Sequence, residues 1–487
     1  MIKPCLLIFC CILSSCQYIV PQYKIPKTQV VPQNWGQKNE SMQLSHSNVS
    51  ELAWWERFHD QTLNHYIEEA LRYNNQLGVA RGILKESEAS LQKVKWSWLP
   101  SVNASGVMYR GELLNVSNNR RFGELLNRSW EKTSWPYSGY LGGVTPSYTL
   151  NLFAKYNETK KLQWDHGAKY QMYRAVRLAV ISQTTMSYFN VVGFKKQLQI
   201  LEQTIQDMEE QRKYTAIQYQ KGAISKIELL NIEERIEYLK REVPKVKQSI
   251  KISENALALL TNRQINTIQT QDVFEKINQK QIVLYNVPSS TLKQRPDVLA
   301  AENELKKYNA QVAQAISALL PTVNITALLD NFGFYLGNFV SFTTNIIQGE
   351  LSAVMPLVDG SIYGDIKKAK AVEYAAIYHY LGALTLAIAD IDTAMASRNN
   401  SLIGLGHIQR AQEKTKAQLQ LGRIQYETGA ISYLEYLNYK VNHETSKLKL
   451  VQYQQLELNS TVRLYQALAG GSCIENASKR SSSKLKE

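Results

Sequence analysis

From residue 51 to about 98, apolar side chains return every three or four positions, the spacing of an amphipathic helix. Leu99-Pro100 stops it, because proline has no N–H to continue the ladder and restrains its predecessor. The period then switches to two. Residues 101–114 and 138–153 alternate, and in the second stretch Tyr140, Gly142, Val144, Pro146, Tyr148, Leu150 and Leu152 fall on one face. Leu141, Gly143, Thr145, Ser147, Thr149 and Asn151 fall on the other. An apolar face backed by a small, polar one over about ten residues is the pattern of a lipid-facing strand with a wet interior. Residues 115–137 between them, rich in Asn, Arg, Ser and Trp, are expected to form a surface loop. The pattern returns after Leu320-Pro321, where Val323, Ile325, Ala327 and Leu329 oppose Thr322, Asn324, Thr326 and Asp330. A Gly- and Phe-rich loop is expected near 332–348, followed by a strand through Leu351, Ala353, Met355 and Leu357. Two hairpins result, at about 101–153 and about 322–357. Four strands cannot close a barrel or avoid bare edges in lipid, so several chains must combine.

The rest of the pattern is helical. Leu229, Ile232, Ile236, Leu239, Val243, Val246 and Ile250 are spaced alternately by three and four, a heptad seam, and Leu198, Leu201, Ile205 and Met208 make a shorter one. Leu434, Leu437, Val441, Leu448, Val451, Leu458 and Val462 keep the same register, interrupted by Glu444 and Gln455. Such narrow stripes leave broad polar faces wet. A run from 361 to 426 predicts a helix roughly 100 Å long at ~1.5 Å per residue. Gly222 and Gly429 stand where long helices must reverse, a place that favours residues tolerating positive φ, and Pro244 predicts a kink.

Two stretches are written twice. Residues 79–103 recur as 300–324 with eight of 25 positions identical, and 217–231 recur as 424–438 with ten of fifteen identical. The chain therefore reads as two copies of one unit, 51–287 and 288–470, each a helix, a β-hairpin and a long helical hairpin, the latter at about 160–262 and about 361–469.

Composition changes this picture at the ends. Lys3, an apolar run from Cys5 to Leu13 and Leu13-Ser14-Ser15-Cys16 read as a secretory signal too short to span a bilayer. Leu-Ser-Ser-Cys resembles the lipobox of bacterial lipoproteins, which makes residues 1–15 a signal peptide and Cys16 the lipidated residue; a plain signal peptide is the alternative. Gln17, where an inner-membrane retention signal places Asp, points to the outer membrane. Residues 16–50 then suit an extended tether, and 471–487 a disordered basic tail. Removal of the signal and lipidation leave Cys473 alone, so no intrachain disulfide framework is possible. The formal charge of +14 is spread among Glu and Gln along helical faces, so it argues for solvated coiled coils and against a nucleic-acid partner. The seven His show no paired metal spacing, eight unclustered Met give little support to a copper or silver channel, and no nucleotide or nucleophile motif occurs. We expect no enzyme activity and no cofactor.

Several motifs resemble the outer-membrane factor family of TolC-like exit ducts, and within it the lipoprotein branch serving resistance-nodulation-division efflux pumps. Ala53-Trp54-Trp55-Glu56-Arg57-Phe58-His59-Asp60 with Leu63 and Ile67-Glu68-Glu69-Ala70-Leu71 is similar to the family's opening, and Gln294-Arg295-Pro296-Asp297-Val298-Leu299-Ala300-Ala301-Glu302 to its "RRPDV..AE" segment. Leu99-Pro100 and Leu320-Pro321 match its helix-to-strand junctions, and Pro356-Leu357-Val358-Asp359-Gly360 is close to "PLFDGG". Leu152-Phe153-Ala154-Lys155 and Val358-Asp359-Gly360-Ser361-Ile362 depart from the family by losing a Gly and an Arg. The resemblance implies an α+β membrane fold with an internal two-fold repeat. Its homotrimer closes an outer-membrane β-barrel from four strands per protomer, continued by a long periplasmic α-helical coiled-coil barrel with a gate at its far end. Residues 32–50, the 263–290 connection and the C-terminal tail then form or flank a belt around the middle.

The same resemblance suggests working residues. Glu435 and Asn438 match positions that ring the family's constricted end, with Glu228 and Asn231 as their first-copy counterparts. Threefold symmetry would gather carboxylates there, attracting cations and coupling closure to pH. Acids near a helix N-terminus are favourable in any case, so a plain solvated role also fits Glu228 and Glu435. Tyr219 and Tyr426 correspond to a tip-proximal Tyr that helps hold the coils closed, while the family's basic gate partner falls at Ile431. Gly222, Ala223, Ile224 and Ser225, and Gly429, Ala430, Ile431 and Ser432, are similar to tips that meet the periplasmic adaptor (membrane fusion) protein, each with an exposed Ile; ordinary turn chemistry explains them equally well. The expected function is a passive, lipid-anchored outer-membrane duct working with that adaptor and an inner-membrane pump in small-molecule efflux. A type I protein secretion duct and a non-pore structural coiled-coil lipoprotein are the rivals.

Overall fold

The computed structural model describes residues 34–35, 53–114, 134–270, 274, 277, 287–288, 292, 294–338 and 340–469. The expected signal peptide, Cys16, most of the tether, most of the 115–137 loop and the 471–487 tail lie outside the described residues. In chain order the elements are β1 (Asn34–Trp35), a 3-10 turn (Trp54–Phe58), α1 (Gln61–Tyr73), α2 (Asn75–Trp96), β2 (Ser101–Leu114) and β3 (Ser134–Leu150). Then come α3 (Leu152–Gln220), α4 (Lys226–Thr261), β4 (Val287–Pro288), α5 (Pro296–Ser317), β5 (Thr322–Leu336), β6 (Val340–Val354), α6 (Gly360–Glu427) and α7 (Tyr433–Ala467). Described residues within 87–166 and 304–376 form one compact unit; those within 26–86, 167–303 and 377–487 form another.

In the first unit a four-stranded antiparallel sheet runs in the order β2-β3-β5-β6. Its register sets Val144 opposite both Ala104 and Leu329, and Ile325 opposite both Tyr148 and Leu351. Because side chains alternate, Val102, Val144, Tyr148, Ile325, Leu329, Ile347 and Leu351 share one face, while Asn103, Thr145, Asn324, Thr326, Asp330 and Glu350 share the other. Ile347 and Leu351 are 82% and 73% exposed, far more than a folded core tolerates. β2 and β6 are the two edges of this sheet.

The strands differ from expectation at four places, the first being that β3 begins at Ser134, inside the expected 115–137 loop. β3 ends at Leu150, not 153, because the Asn151 Oδ1 accepts the Ala154 N–H at 3.0 Å and so caps α3 three residues earlier. The anticipated loop at 332–348 is mostly strand: Phe332 pairs with Thr344 and Phe334 with Phe342, and only a short turn around Gly337 (φ 50°) reverses the chain. Glycine there serves packing, since the Tyr140 ring lies where a Cβ on Gly333 would stand. β6 stops at Val354, so Met355 and Leu357 lie beyond its end, next to Pro356.

The second unit is helical around an aromatic core. Trp54 stacks on Tyr465 with ring centroids 5.0 Å apart, and Phe58 meets Phe189 edge-on at 4.9 Å. The Asp60 side chain caps α1 through the Thr62 and Leu63 N–H groups, at 2.9 and 3.1 Å, and accepts the Tyr188 O–H at 2.6 Å. Burial, then Asp60, push the Tyr188 hydroxyl pKa up, keeping it a neutral donor. The single helix expected over 51–98 breaks at Asn74, whose Nδ2 donates to the Leu260 carbonyl and whose Oδ1 accepts the Leu77 N–H. Arg295, 7% exposed, donates to Asp297 twice (3.0 and 2.6 Å), to Asp390 (3.1 Å) and to the Ala467 carbonyl (3.0 Å), so it ties the start of α5 to α6 and the end of α7. α4 is continuous across Pro244. Two-residue strands β1 and β4 pair Asn34 with Pro288 and Trp35 with Val287.

Candidate gate and docking tips

Both helix reversals end in the same backbone device. Gly222 (φ 72°) and Gly429 (φ 78°) take the left-handed conformation, and the next residue's N–H reaches back to a carbonyl in the preceding turn: Ala223 to Gln218 at 2.9 Å, Ala430 to Gln425 at 2.8 Å. Ser225 and Ser432 then start α4 and α7 in extended conformation. The Ser432 Oγ accepts the Glu435 N–H at 3.2 Å, whereas Ser225 makes no such side-chain cap. Glu228 and Glu435 occupy the first helical turns, exposed, where the helix dipole favours negative charge. Gly222, Ala223, Gly429 and Ala430 are exposed; Ile224 and Ile431, expected to be exposed, are half-buried, because each turn folds its one large apolar side chain inward.

The second tip carries an aromatic cluster. The Tyr426 ring lies parallel to Tyr436 at 5.6 Å and touches Tyr433 at 5.1 Å, and Tyr433 meets Tyr214 edge-on at 4.7 Å. The Tyr433 hydroxyl donates to Glu210 Oε1 at 2.7 Å, which, with burial, holds its pKa above the ordinary value. Lys226 and Leu229 stand in α4 where α7 has Tyr433 and Tyr436, so the cluster has no counterpart beside Tyr219.

Further links follow away from the tip. Gln211 Nε2 donates to Asn438 Oδ1 at 2.5 Å; Asn438 and its first-copy counterpart Asn231 are both exposed. The Lys440 ammonium lies 2.8 Å from Asp207, whose side chain is 3% exposed and also accepts from Gln203 at 3.1 Å. Burial alone would lower the Lys440 pKa; Asp207 outweighs it, and the net shift is upward. Met208, Ile236 and Val441 make a small apolar knot joining α3, α4 and α7, with Ile232 and Leu239 of the heptad seam against it. Around it the Lys240–Glu209 and Arg212–Glu233 pairs (2.8 and 3.7 Å) are largely wet and contribute little. Deeper still, the Gln455 that interrupts the α7 seam is buried: it accepts from Gln197 at 2.6 Å and donates to Asn190 at 2.8 Å. His443 is 5% exposed with Thr415 Oγ1 3.5 Å from its Nδ1, and burial, then the Lys447 charge, hold its pKa below 6.5. A groove of about 710 Å³ along α3 beside the tip is lined by Glu209, Glu210, Lys213 and Tyr214.

Of the residues in these contacts, sequence reasoning names Tyr426 and Asn438 and does not name Tyr214, Tyr433, Tyr436, Glu210, Gln211, Asp207 and Lys440. A signal existed in the crowding of tyrosines around the second turn, at 426, 433, 436 and 439. Their partners on α3 lie more than 200 residues away and carry no local mark. Tyr433–Glu210, Asn438–Gln211 and Lys440–Asp207 are polar links between α3 and the first turns of α7. They can hold or release a helix end.

An amphipathic β-sheet with open edges, on a chain otherwise made of long helical hairpins, defines an outer-membrane channel protein. The chain belongs to the outer membrane efflux protein family, whose profile matches residues 66–263 and 287–470. It is similar to the probable outer membrane lipoprotein SilC of Salmonella typhimurium, 24% identical over 467 residues that cover 94% of this chain and 96% of that protein. It is also similar to the cation efflux system protein CusC of Escherichia coli K12, 24% identical over 475 residues covering 96% of this chain and 100% of the relative. Its fold is shared with the open-state MtrE outer membrane channel of Neisseria gonorrhoeae, with a TM-score of 0.76 at 23% identity, covering 93% of this chain and 98% of that one.

Proposed function

We propose that three copies of this chain form a lipid-anchored exit duct that carries small toxic compounds across the outer membrane, with energy supplied by an inner-membrane resistance-nodulation-division pump and contact made through a periplasmic adaptor. The observation that carries this reading is the four-stranded sheet, whose half next to the helices is apolar and exposed on the face of Val144, Ile325, Ile347 and Leu351 and polar on the face of Asn103, Thr145, Asn324 and Glu350, with edges at β2 and β6. In a bilayer both edges need partners, and further copies of the same sheet provide them while turning the polar faces inward. Residues 51–287 and 288–470 act as structural repeats, each giving one hairpin to the barrel and one helical hairpin to the periplasmic tunnel.

In this reading the turns at Gly222–Ser225 and Gly429–Ser432 are the adaptor-docking tips. Glu435 and Asn438, with Glu228, Asn231, Tyr219 and Tyr426, border the gate. The Tyr433–Glu210, Asn438–Gln211 and Lys440–Asp207 contacts keep the α7 end against α3 and so favour the closed tip. Cys16 carries the acyl chains that anchor the mature protein. The test is conductance of the purified full-length protein in a planar bilayer. Discrete steps whose open time rises in Tyr433→Phe are expected; a silent wild-type protein that stays monomeric in detergent refutes the duct.

A further inference from the structure

The contact between α3 and α7 implies a second one of the same kind. Counterparts in the two copies of the repeat stand 207 residues apart at 217–231 and 424–438. The spacing persists in the helix ends: α3 stops at Gln220 and α6 at Glu427, and α4 starts at Lys226 and α7 at Tyr433. It persists in a side-chain contact as well. Met208 packs with Ile236 in the apolar knot, and their counterparts Thr415 and His443 stand 3.5 Å apart. Both hairpins therefore pair their helices in one register. It follows that the face by which α3 meets α7 has its counterpart on α6, and the face by which α7 meets α3 has its counterpart on α4. Those counterparts are uncovered. Asp207 and Gln211 are buried, whereas Lys414 and Gln418 are exposed; Leu437 is fully buried, whereas Leu230 is 50% exposed.

The residue types on these two faces say what covers them. Gln211 donates to Asn438 across the α3–α7 contact, and the counterpart pair is again a glutamine and an asparagine, Gln418 and Asn231. Asp207 pairs with Lys440, and the counterparts are Lys414 and Glu233, the same ion pair with its charges exchanged. Two positions that stay complementary when both signs reverse are positions that face each other. Within one copy Glu233 has the Arg212 guanidinium 3.7 Å away, and Lys414 is exposed. The exchanged pair is left to form between copies. A contact joining two different faces passes from copy to copy and closes as a ring when the rotation allows.

We propose that α6 of one copy packs on α4 of the next copy in the register that α3 takes on α7, with Lys414 pairing with Glu233 and Gln418 donating to Asn231. The inference rests on the reading of the chain as a duct built from several copies. Thiols are placed in the full-length Cys473→Ser protein, membranes are treated with a short bismaleimide, and the same variants are purified for conductance. Asn231→Cys with Gln418→Cys is expected to give cross-linked dimers and trimers on a denaturing gel, and a mixture of the two single variants to give dimers alone. Asn231→Cys with Lys416→Cys should stay uncross-linked, because Glu209, the counterpart of Lys416, turns toward Lys240 within its own hairpin. Equal cross-linking of that pair overturns the register. Added to the first pair, Lys414→Glu is expected to slow cross-linking about fivefold, the upper range for an exposed ion pair, and Glu233→Lys to restore the rate. An exchange that restores nothing overturns the ion pair. Protein that conducts without cross-linking refutes this inference alone, whereas a silent, monomeric protein refutes the duct.

Discussion

Replacing Lys440 by Met isolates what holds the α7 end against α3. The methionine keeps the apolar stem and deletes only the ammonium 2.8 Å from Asp207. Asp207 is then a carboxylate with 3% side-chain exposure and a single neutral donor, Gln203, at 3.1 Å; its Oδ2 has no hydrogen-bond partner even in the wild type. Stranding one member of a fully buried pair costs about 3–5 kcal/mol, and because Lys440 is 33% exposed, water can follow the vacated path and lowers this to about 2–3 kcal/mol. At about 1.4 kcal/mol per decade, local opening becomes roughly 30- to 150-fold more frequent. Hydrogen exchange followed by mass spectrometry reads this directly on peptides spanning 200–215 and 433–445 at pH 7. Removing the stranded charge should undo the defect, so Lys440→Met with Asp207→Asn should recover most of the protection. Unchanged exchange in the single variant, or a double variant as labile as the single, would refute the argument.

Two further outcomes follow from the sheet and from the helical packing. Ile347→Lys puts a charge on the exposed apolar face and should cost about 2–4 kcal/mol near the bilayer midplane, cutting outer-membrane yield, while Gln348→Lys on the polar face is tolerated; equal yields would contradict the face assignment. His443 is held neutral by burial, so below pH 6.5 the unfolded chain binds a proton that the folded chain resists. Stability supplied by neutral His443 is complete above pH 6.5 and falls as the pH drops toward its lowered folded value. His443→Gln should flatten the stability profile measured between pH 5 and 7, and an unaltered slope would assign that dependence to other groups.

What the chain determined by itself is what depends on neighbours a few residues away. Alternation of period two places β2, most of β3 and β5 and the end of β6, and their apolar faces, because side-chain direction in a strand depends only on parity. The glycines at 222 and 429 locate the reversals because only a residue without a Cβ takes positive φ there cheaply. Local cues misled where glycine served packing, as at Gly333 under the Tyr140 ring, and where a side chain reset a boundary, as at Asn151 and Asn74. Resemblance picked out the opening Trp54-Trp55 and Arg295-Pro296-Asp297 stretches, but what they do is tertiary. One is the aromatic core packed on Tyr465; the other is a buried guanidinium fastened to α6 and α7. The links at the second tip are of the same kind. Tyr433 meets Glu210 across 223 residues and Asn438 meets Gln211 across 227, so no periodicity could pair them. Only the packing of α3 against α7 brings those partners within hydrogen-bonding reach, because an amphipathic stripe says that a helix will pack without saying upon which neighbour or at which height.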